Sequence, residues 1–316
     1  MNHFRLTDLP HAVPASSYEE ALGRMTDFLR KKEGILAVYQ LGGVTSPGIS
    51  DLDMLVVTED NLRFDVDPLM DLPGISRYLF IHSLYGISVA NFHRANQYSF
   101  YSTFRKLEGK ELTDQNKIPD PGILRQVISE YMVKMYINLV VQHAYRVIRI
   151  RDLFLHIKGF HSDLQRRGNA PATLTNLSSQ CMKWRETWFE APVNATEISS
   201  WFVEFFRELE AYLGNILRSE TFYLPADTMS AGKNIRLHPA EKVRYTRRGI
   251  ILPFVVGGKK YRRMLNWLNK FEVYFPFQSS ACPENISSYL AFCKEMQTYQ
   301  RTYLPHFYPL SSSLKA

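Results

Sequence analysis

Apolar positions recur along this chain with more than one period, and each period predicts a different kind of element. Over residues 18–32 the apolar side chains Tyr18, Leu22, Met25, Phe28 and Leu29 fall at helical spacing, with Ser16 or Ser17 in place to cap the first turn and Gly34 to stop the last. Two short apolar runs follow, residues 35–41 and 52–58, the second rich in β-branched side chains, and both predict strands. A further run over residues 77–85, resumed after Gly86 by Ile87, predicts a later strand of the same sheet. Together these elements define an α+β core.

The pattern changes at Ile118-Pro119-Asp120-Pro121-Gly122, where two prolines and a glycine interrupt regular structure and mark a domain boundary. Residues 123–164 contain no proline and a single glycine, Gly159, and predict a long helix or a broken pair. Residues 178–218 predict at least two more helices divided near Pro192; Trp201, Phe202, Phe205, Phe206, Leu209 and Leu213 form an apolar stripe suited to a bundle core. Residues 242–260 alternate and carry two glycine turns, which predicts a β-hairpin, and helical spacing returns over 261–271 and 286–299. The predicted organisation is a core at 1–118, a helical domain at 119–222 and a mixed, basic extension at 223–316.

Composition fits that division. A chain of 316 residues exceeds the ~100–200 of a usual domain, and 45% hydrophobic with 13% aromatic residues suffices for more than one buried core. No apolar run reaches the ~18 residues of a membrane helix, and Met1-Asn2-His3-Phe4-Arg5 leads into Asp8, Pro10 and Pro14 instead of a signal-peptide core. A cytoplasmic location without a membrane partner is the expectation. Cys181, Cys282 and Cys293 are too few and too scattered for a disulfide framework or a zinc site. The formal net charge of +7 favours an anionic partner. It is concentrated between Lys233 and Arg263, where Arg247, Arg248, Lys259 and Lys260 are candidate contacts to a nucleic acid backbone and Tyr245 or Tyr261 to a base.

The densest chemistry lies between the first two predicted strands, in Gly42-Gly43-Val44-Thr45-Ser46-Pro47-Gly48-Ile49-Ser50-Asp51-Leu52-Asp53. Side chains two apart on a strand share a face, so Asp51 and Asp53 are expected to point the same way, roughly 7 Å apart at Cα. Carboxylates brought within about 5 Å repel by roughly 3 kcal/mol at an effective dielectric near 20. A proton, a basic side chain or a divalent cation offsets that. Hard oxygens on a rigid strand suit Mg²⁺ (or Mn²⁺), which takes one or two carboxylates and leaves its other positions to water and phosphates. Gly42 and Gly43 lack Cβ, so the backbone there can turn sharply and offer N–H groups to a phosphate.

A strand, a Gly-Gly turn and Ser-Asp-x-Asp at the next strand, here Gly42-Gly43 and Ser50-Asp51-Leu52-Asp53, resemble the DNA polymerase β-like nucleotidyltransferase superfamily. Gly109-Lys110-Glu111-Leu112 resembles a stretch that follows the core sheet in its small members. The resemblance implies a nucleotidyltransferase-fold mixed sheet followed by a helical bundle. It also implies metal-dependent transfer of a nucleoside monophosphate from an NTP, such as ATP, to a hydroxyl of a small-molecule acceptor, with release of pyrophosphate. Under it Asp51 and Asp53 hold the metal, Gly42, Gly43, Ser46 and Ser50 contact the phosphates, and Lys106 or Lys110 neutralises the leaving group.

The same superfamily usually places a third acid on a following strand. Residues 77–85 contain none; the titratable group at their centre is His82, whose neutral imidazole can serve as general base or ligand near pH 7. Asp65, Asp67 and Asp71 lie in a stretch punctuated by Pro and Gly that reads as helix or loop. Several readings stay open: catalysis by Asp51, Asp53 and His82; an acid contributed from elsewhere; a degenerate member that binds a nucleotide or acts as a scaffold; or an RNA- or tRNA-directed enzyme. In the long helical stretch, Arg151 and His156 resemble the Arg-x4-His signature of helical ribonuclease-like domains, against the plainer reading of a solvated basic face.

Overall fold

The computed structural model describes residues 4–95, 98, 104–113, 120–227, 229–251 and 259–310. Its elements begin with β1 (Arg5–Thr7), α1 (Ala15–Leu29), β2 (Ile35–Leu41), β3 (Asp53–Thr58), α2 (Gly74–Leu79), β4 (Tyr85–Ser88), α3 (Val89–Ala95) and β5 (Phe104–Gly109). They continue with α4 (Pro121–Tyr145), β6 (Val147–Arg149), α5 (Ile150–Arg167), α6 (Ala172–Thr187) and α7 (Ala195–Ser219). The last are β7 (Met229–Gly232), β8 (Ile235–Pro239), β9 (Arg244–Gly249), α8 (Lys259–Leu268), β10 (Asn269–Phe275), α9 (Glu284–Tyr303) and β11 (Tyr308–Pro309).

The mixed α+β class holds, but the chain divides into two compact units in place of three consecutive segments. One unit combines residues 10–127 with 287–312, and the other is built mainly from residues 128–286. Residues 119–222 and 223–286 are therefore not separate, and the C-terminal helix returns to the first unit. Local composition marks breaks in periodicity; it carries no information on which distant segment completes a sheet.

In the first unit the two apolar runs pair antiparallel, Leu41 opposite Asp53, within a five-stranded sheet of order β11-β4-β3-β2-β5. β4 lies parallel to β3 and β5 antiparallel to β2. Val38, Met54 and Val56 bury one face against Leu22 and Met25 of α1 and Leu79 of α2. Tyr39, Leu41, Leu55 and Val57 bury the other against Phe92 of α3 and Phe292 and Met296 of α9. α1 opens behind Pro14, which caps it without a side-chain hydrogen bond, so Ser16 and Ser17 lie inside the first turn instead of capping it. Residues 77–79 belong to α2, not to a strand: Ile75, Tyr78 and Leu79 satisfy helical spacing equally well, and the strand begins only at Tyr85.

In the second unit, Arg146 (φ 53°) and the short β6 separate α4 from α5, the broken-pair alternative. The aromatic stripe of α7 forms core as expected, with Phe205 edge-on to Phe160 (5.3 Å) and Trp201 against Trp184 (5.5 Å). Trp201 Nε1–H donates to the Leu177 carbonyl at 2.9 Å. β9 does not form a local hairpin among the described residues; it pairs antiparallel with β10 across the intervening α8 in a sheet of order β7-β8-β10-β9. Residues 252–258, inside the anticipated hairpin, lie outside the described residues. Residues 269–271, expected in a helix, open β10 instead, where Phe271, Val273 and Phe275 alternate into the core. No helix among the described residues is long and apolar enough to cross a membrane.

Candidate metal centre

Pairing of Leu41 with Asp53 places the turn after β2, and so Gly42, at the sheet end where β3 begins. Asp53 is the first residue of β3, while Asp51 precedes the ladder and is not itself in strand. Parallel pairing of Leu55 with Tyr85 brings the bend before β4, with His82, to the same end. Asp51, Asp53 and His82 each present a ligand atom, all within 4.8 Å of one another, and all three are partly buried.

The polar geometry of this cluster is incomplete as pure structure. His82 Nδ1 lies 2.7 Å from the Ser83 carbonyl, an acceptor only, so Nδ1 carries the proton and Nε2 faces the carboxylates. Nε2 stands 2.9 Å from Asp53 Oδ1. Although that separation is of hydrogen-bond length, Nε2 of this tautomer has no proton to donate, and Asp53 Oδ1 is buried without a hydrogen-bond partner. Burial pulls the imidazole pKa down, but the contact with Asp53, the Ser83 carbonyl and the charge of Asp51 together outweigh it and hold His82 above its ordinary value. Two carboxylates, one imidazole nitrogen and an orphaned buried oxygen are a donor set that fits a divalent cation.

The loop beside the cluster is held by groups that sequence spacing does not reveal. Tyr18 Oη accepts the Gly48 N–H at 2.9 Å and donates to the Ser50 carbonyl at 2.8 Å, and Tyr78 Oη donates to the Gly48 carbonyl at 2.6 Å. Ser50 is a correction: it is 3% exposed, and its hydroxyl accepts the backbone N–H groups of Thr45 (3.3 Å) and Ser46 (3.1 Å). Ser46 is half-buried, and its backbone closes the same turn. Gly42 adopts φ 67°, and neither Gly42 nor Gly43 has an atom within 4 Å of where a Cβ would stand, so the turn opens onto free space.

Lys106 pairs opposite Tyr39 and shares the sheet face of Asp53, with its Nζ 3.9 Å from Glu111. Lys110 is not brought to the site. It follows Gly109, which pairs with Ala37 at the far end of β2 from Leu41. Gly109 itself answers a steric need: at φ 80° a Cβ would stand 2.2 Å from the Leu36 carbonyl oxygen. Asp65 pairs with Arg63 at 2.8 Å and Asp67 accepts the Leu69 N–H at 2.9 Å, and neither joins the cluster. Tyr308, carried by β11, sets its ring 5.1 Å from that of His82, with Tyr85 at 5.4 Å on another side. No signal near Asp53 in the sequence points to a residue so remote.

In the other unit, Arg151 is buried while His156 Nε2 turns to Asp152 at 3.7 Å. Arg247 turns inward, donating to Asn269 Oδ1 at 2.6 Å and the Gly249 carbonyl at 3.1 Å, whereas Arg248 is exposed. Lys259 and Lys260 open α8, and their side chains lie outside the described residues.

Fold and site together define an α+β protein with a cluster of two carboxylates and an imidazole able to hold a metal ion. No protein-family model matches the chain, and no curated protein matches its sequence.

Proposed function

We propose that this protein transfers a nucleoside monophosphate from an NTP to a hydroxyl of a small-molecule acceptor, with Asp51, Asp53 and His82 at the reaction centre. The observation that carries this reading is the convergence of those three side chains within 4.8 Å beside an open glycine turn. Asp51 and Asp53 hold Mg²⁺ or Mn²⁺, which when bound neutralises triphosphate charge and polarises the α-phosphorus. The backbone of Gly42-Gly43 receives the outer phosphates, and Lys106 adds positive charge on the same sheet face. In the reaction the acceptor oxygen bonds to the α-phosphorus and the α–β anhydride bond breaks. Pyrophosphate leaves with the bonding electrons, and the hydroxyl proton passes to His82 Nε2. The Ser83 carbonyl fixes the ring for that role, and the half-exposed Tyr308 supplies an aromatic wall for the acceptor.

One observation favours a second reading, a protein that binds cation and nucleotide without turnover: among the described residues no third carboxylate joins the cluster. Pyrophosphate release measured with Mg²⁺, an NTP mixture and a panel of hydroxyl acceptors separates the two. Transfer predicts release that Asp51→Asn or Asp53→Asn abolishes, and that His82→Ala cuts by roughly 10²–10⁴-fold with NTP binding retained. Mg²⁺-dependent NTP binding with no release across the panel supports the second reading. Absence of both metal and NTP binding sinks both.

A further inference from the structure

The four-stranded sheet of the 128–286 unit has one buried face and one open face, and the open face is cationic. Leu237, Phe271, Val273 and Phe275 point into the core. On the other side, strand register sets Arg248 beside Lys270, Arg236 beside Glu272, and His238, Tyr274 and Arg244 in one row across three strands. Arg236, Arg244, Arg248 and Lys270 are exposed. Glu272, the carboxylate these paired positions place on the face, is engaged by His238 Nε2. Four fixed cations are thus spread over this face, and Glu272, the carboxylate on it among the described strand residues, is already occupied.

The row of planar groups adds a second kind of recognition. The His238 ring stacks on Tyr274 with centroids 5.1 Å apart and planes at 25°, and the Arg244 guanidinium lies 4.4 Å from the Tyr274 centroid. Arg244 stands on β9, an edge strand of the sheet, so the stack continues outward to an exposed guanidinium plane. Guanidinium and aromatic planes accept any base by stacking, while surrounding Lys and Arg neutralise phosphates.

The geometry points to this face as a platform for single-stranded nucleic acid. It takes the strand's phosphates on Arg236, Arg248 and Lys270 and stacks a base against the Arg244–Tyr274–His238 row. Duplex would offer its bases to none of these planes. Arg247 has no part in the platform, being spent on Asn269. An anionic lipid surface is the competing partner, because Trp267 (81% exposed) and Ile250 (63% exposed) lie at the sheet end where Gly249 pairs with Asn269 and would be the side chains it buries.

The test uses the full chain and fluorescence anisotropy with labelled RNA and DNA strands of about 20 nucleotides, titrated between about 50 and 200 mM salt. Three phosphate contacts predict a slope of log K against log salt of about −2, at about 0.7 per contact on a single strand. Combining Arg236→Gln, Arg244→Gln, Arg248→Gln and Lys270→Gln is expected to weaken binding at least roughly tenfold and flatten that slope. Tyr274→Leu is expected to cost about tenfold and Tyr274→Phe to retain affinity, which separates stacking from charge. Combining Arg24→Gln, Lys31→Gln, Lys183→Gln and Lys294→Gln, at exposed positions elsewhere, controls for net charge. Binding of either strand type with this sensitivity supports the platform. Failure to bind both, affinity untouched by the four-fold variant, or binding to phosphatidylglycerol vesicles that Trp267→Ala abolishes in place of oligonucleotide binding, overturns it.

Discussion

Asp152 and Asp53 are both carboxylates of low exposure with a histidine nearby, at 3.7 and 2.9 Å respectively, yet their surroundings differ in kind. Asp152 Oδ2 accepts a hydrogen bond from Asn138 Nδ2 at 2.7 Å, with Gln142 Nε2 at 3.5 Å, and Oδ1 faces Arg149 at 3.2 Å. Gln142 in turn accepts the Arg149 backbone N–H at 2.7 Å. Asp53 instead points a buried oxygen, Oδ1, at an imidazole nitrogen, beside a second carboxylate, and that oxygen has no hydrogen-bond partner among the described residues. A carboxylate surrounded by donors is finished structure. One facing another carboxylate and a ring nitrogen is arranged for a cation. The contrast also decides between readings of Arg151 and His156: His156 serves Asp152, and Arg151 is buried, so the pair reads as helix packing.

Three substitutions probe this contrast, ordered by expected effect on stability. Asp152→Ala leaves Asn138 without its acceptor and Arg149 with Asp8 alone (3.7 Å), and is expected to cost about 3 kcal/mol in denaturant unfolding, with metal binding unchanged. A cost below about 0.5 kcal/mol would show that the Asp152 network is decorative.

Asp163, on the same helix as Asp152, is a largely buried carboxylate that faces Arg166 Nη1 at 3.9 Å. Burial outweighs the charges of Arg166 and Arg167 and pushes its pKa up to about 6 from an ordinary 3.8. The folded state therefore keeps this proton to higher pH than the unfolded state does, and its contribution to stability falls as pH rises between those values. Asp163→Asn should raise stability by about 1–2 kcal/mol above pH 6 and leave it unchanged below about pH 4, read from urea midpoints across that range. A gain at low pH would have the wrong sign.

The smallest effect is expected at Asp53. Asp53→Asn relieves repulsion from Asp51, so the metal-free protein should keep its thermal midpoint or gain about 0.5 kcal/mol or less. The informative half is the response to metal: added Mg²⁺ or Mn²⁺ should raise the midpoint of the parent and not that of the variant. A fall comparable to that of Asp152→Ala would make the two clusters equivalent and remove the reason for assigning a cation to one of them.

How much of this was legible beforehand depended on whether the cause was local. The glycine turn and the Asp pair could be read because strand periodicity acts over two or three residues. The α7 stripe could be read because Trp201, Phe205, Leu209 and Leu213 repeat at helical spacing. His82 was recognisable by its chemistry, but its element was misassigned, since a short apolar run satisfies helix and strand alike until Pro73-Gly74 starts a helix. The hydroxyls of Tyr18 and Tyr78 were hidden because a tyrosine on an apolar stripe looks like core, and Tyr18 is indeed buried while its hydroxyl pins the Gly48 backbone. The pairing of β9 with β10, and of β11 with β4, depends on contacts across long sequence separations that no window contains.

That last pairing also imposes an order in time. Four strands of the sheet that bears Asp53 are laid down before residue 128, but its β11 edge and the Tyr308 ring beside His82 come from residues 308–309, after residues 128–286 of the other unit. During synthesis from the N-terminus the acidic pair and the imidazole emerge early and stand without that edge while residues 83–307 are made. The candidate metal centre thus gains its Tyr308 ring and β11 edge late, and a chain interrupted between residues 82 and 308 carries the three polar groups without them.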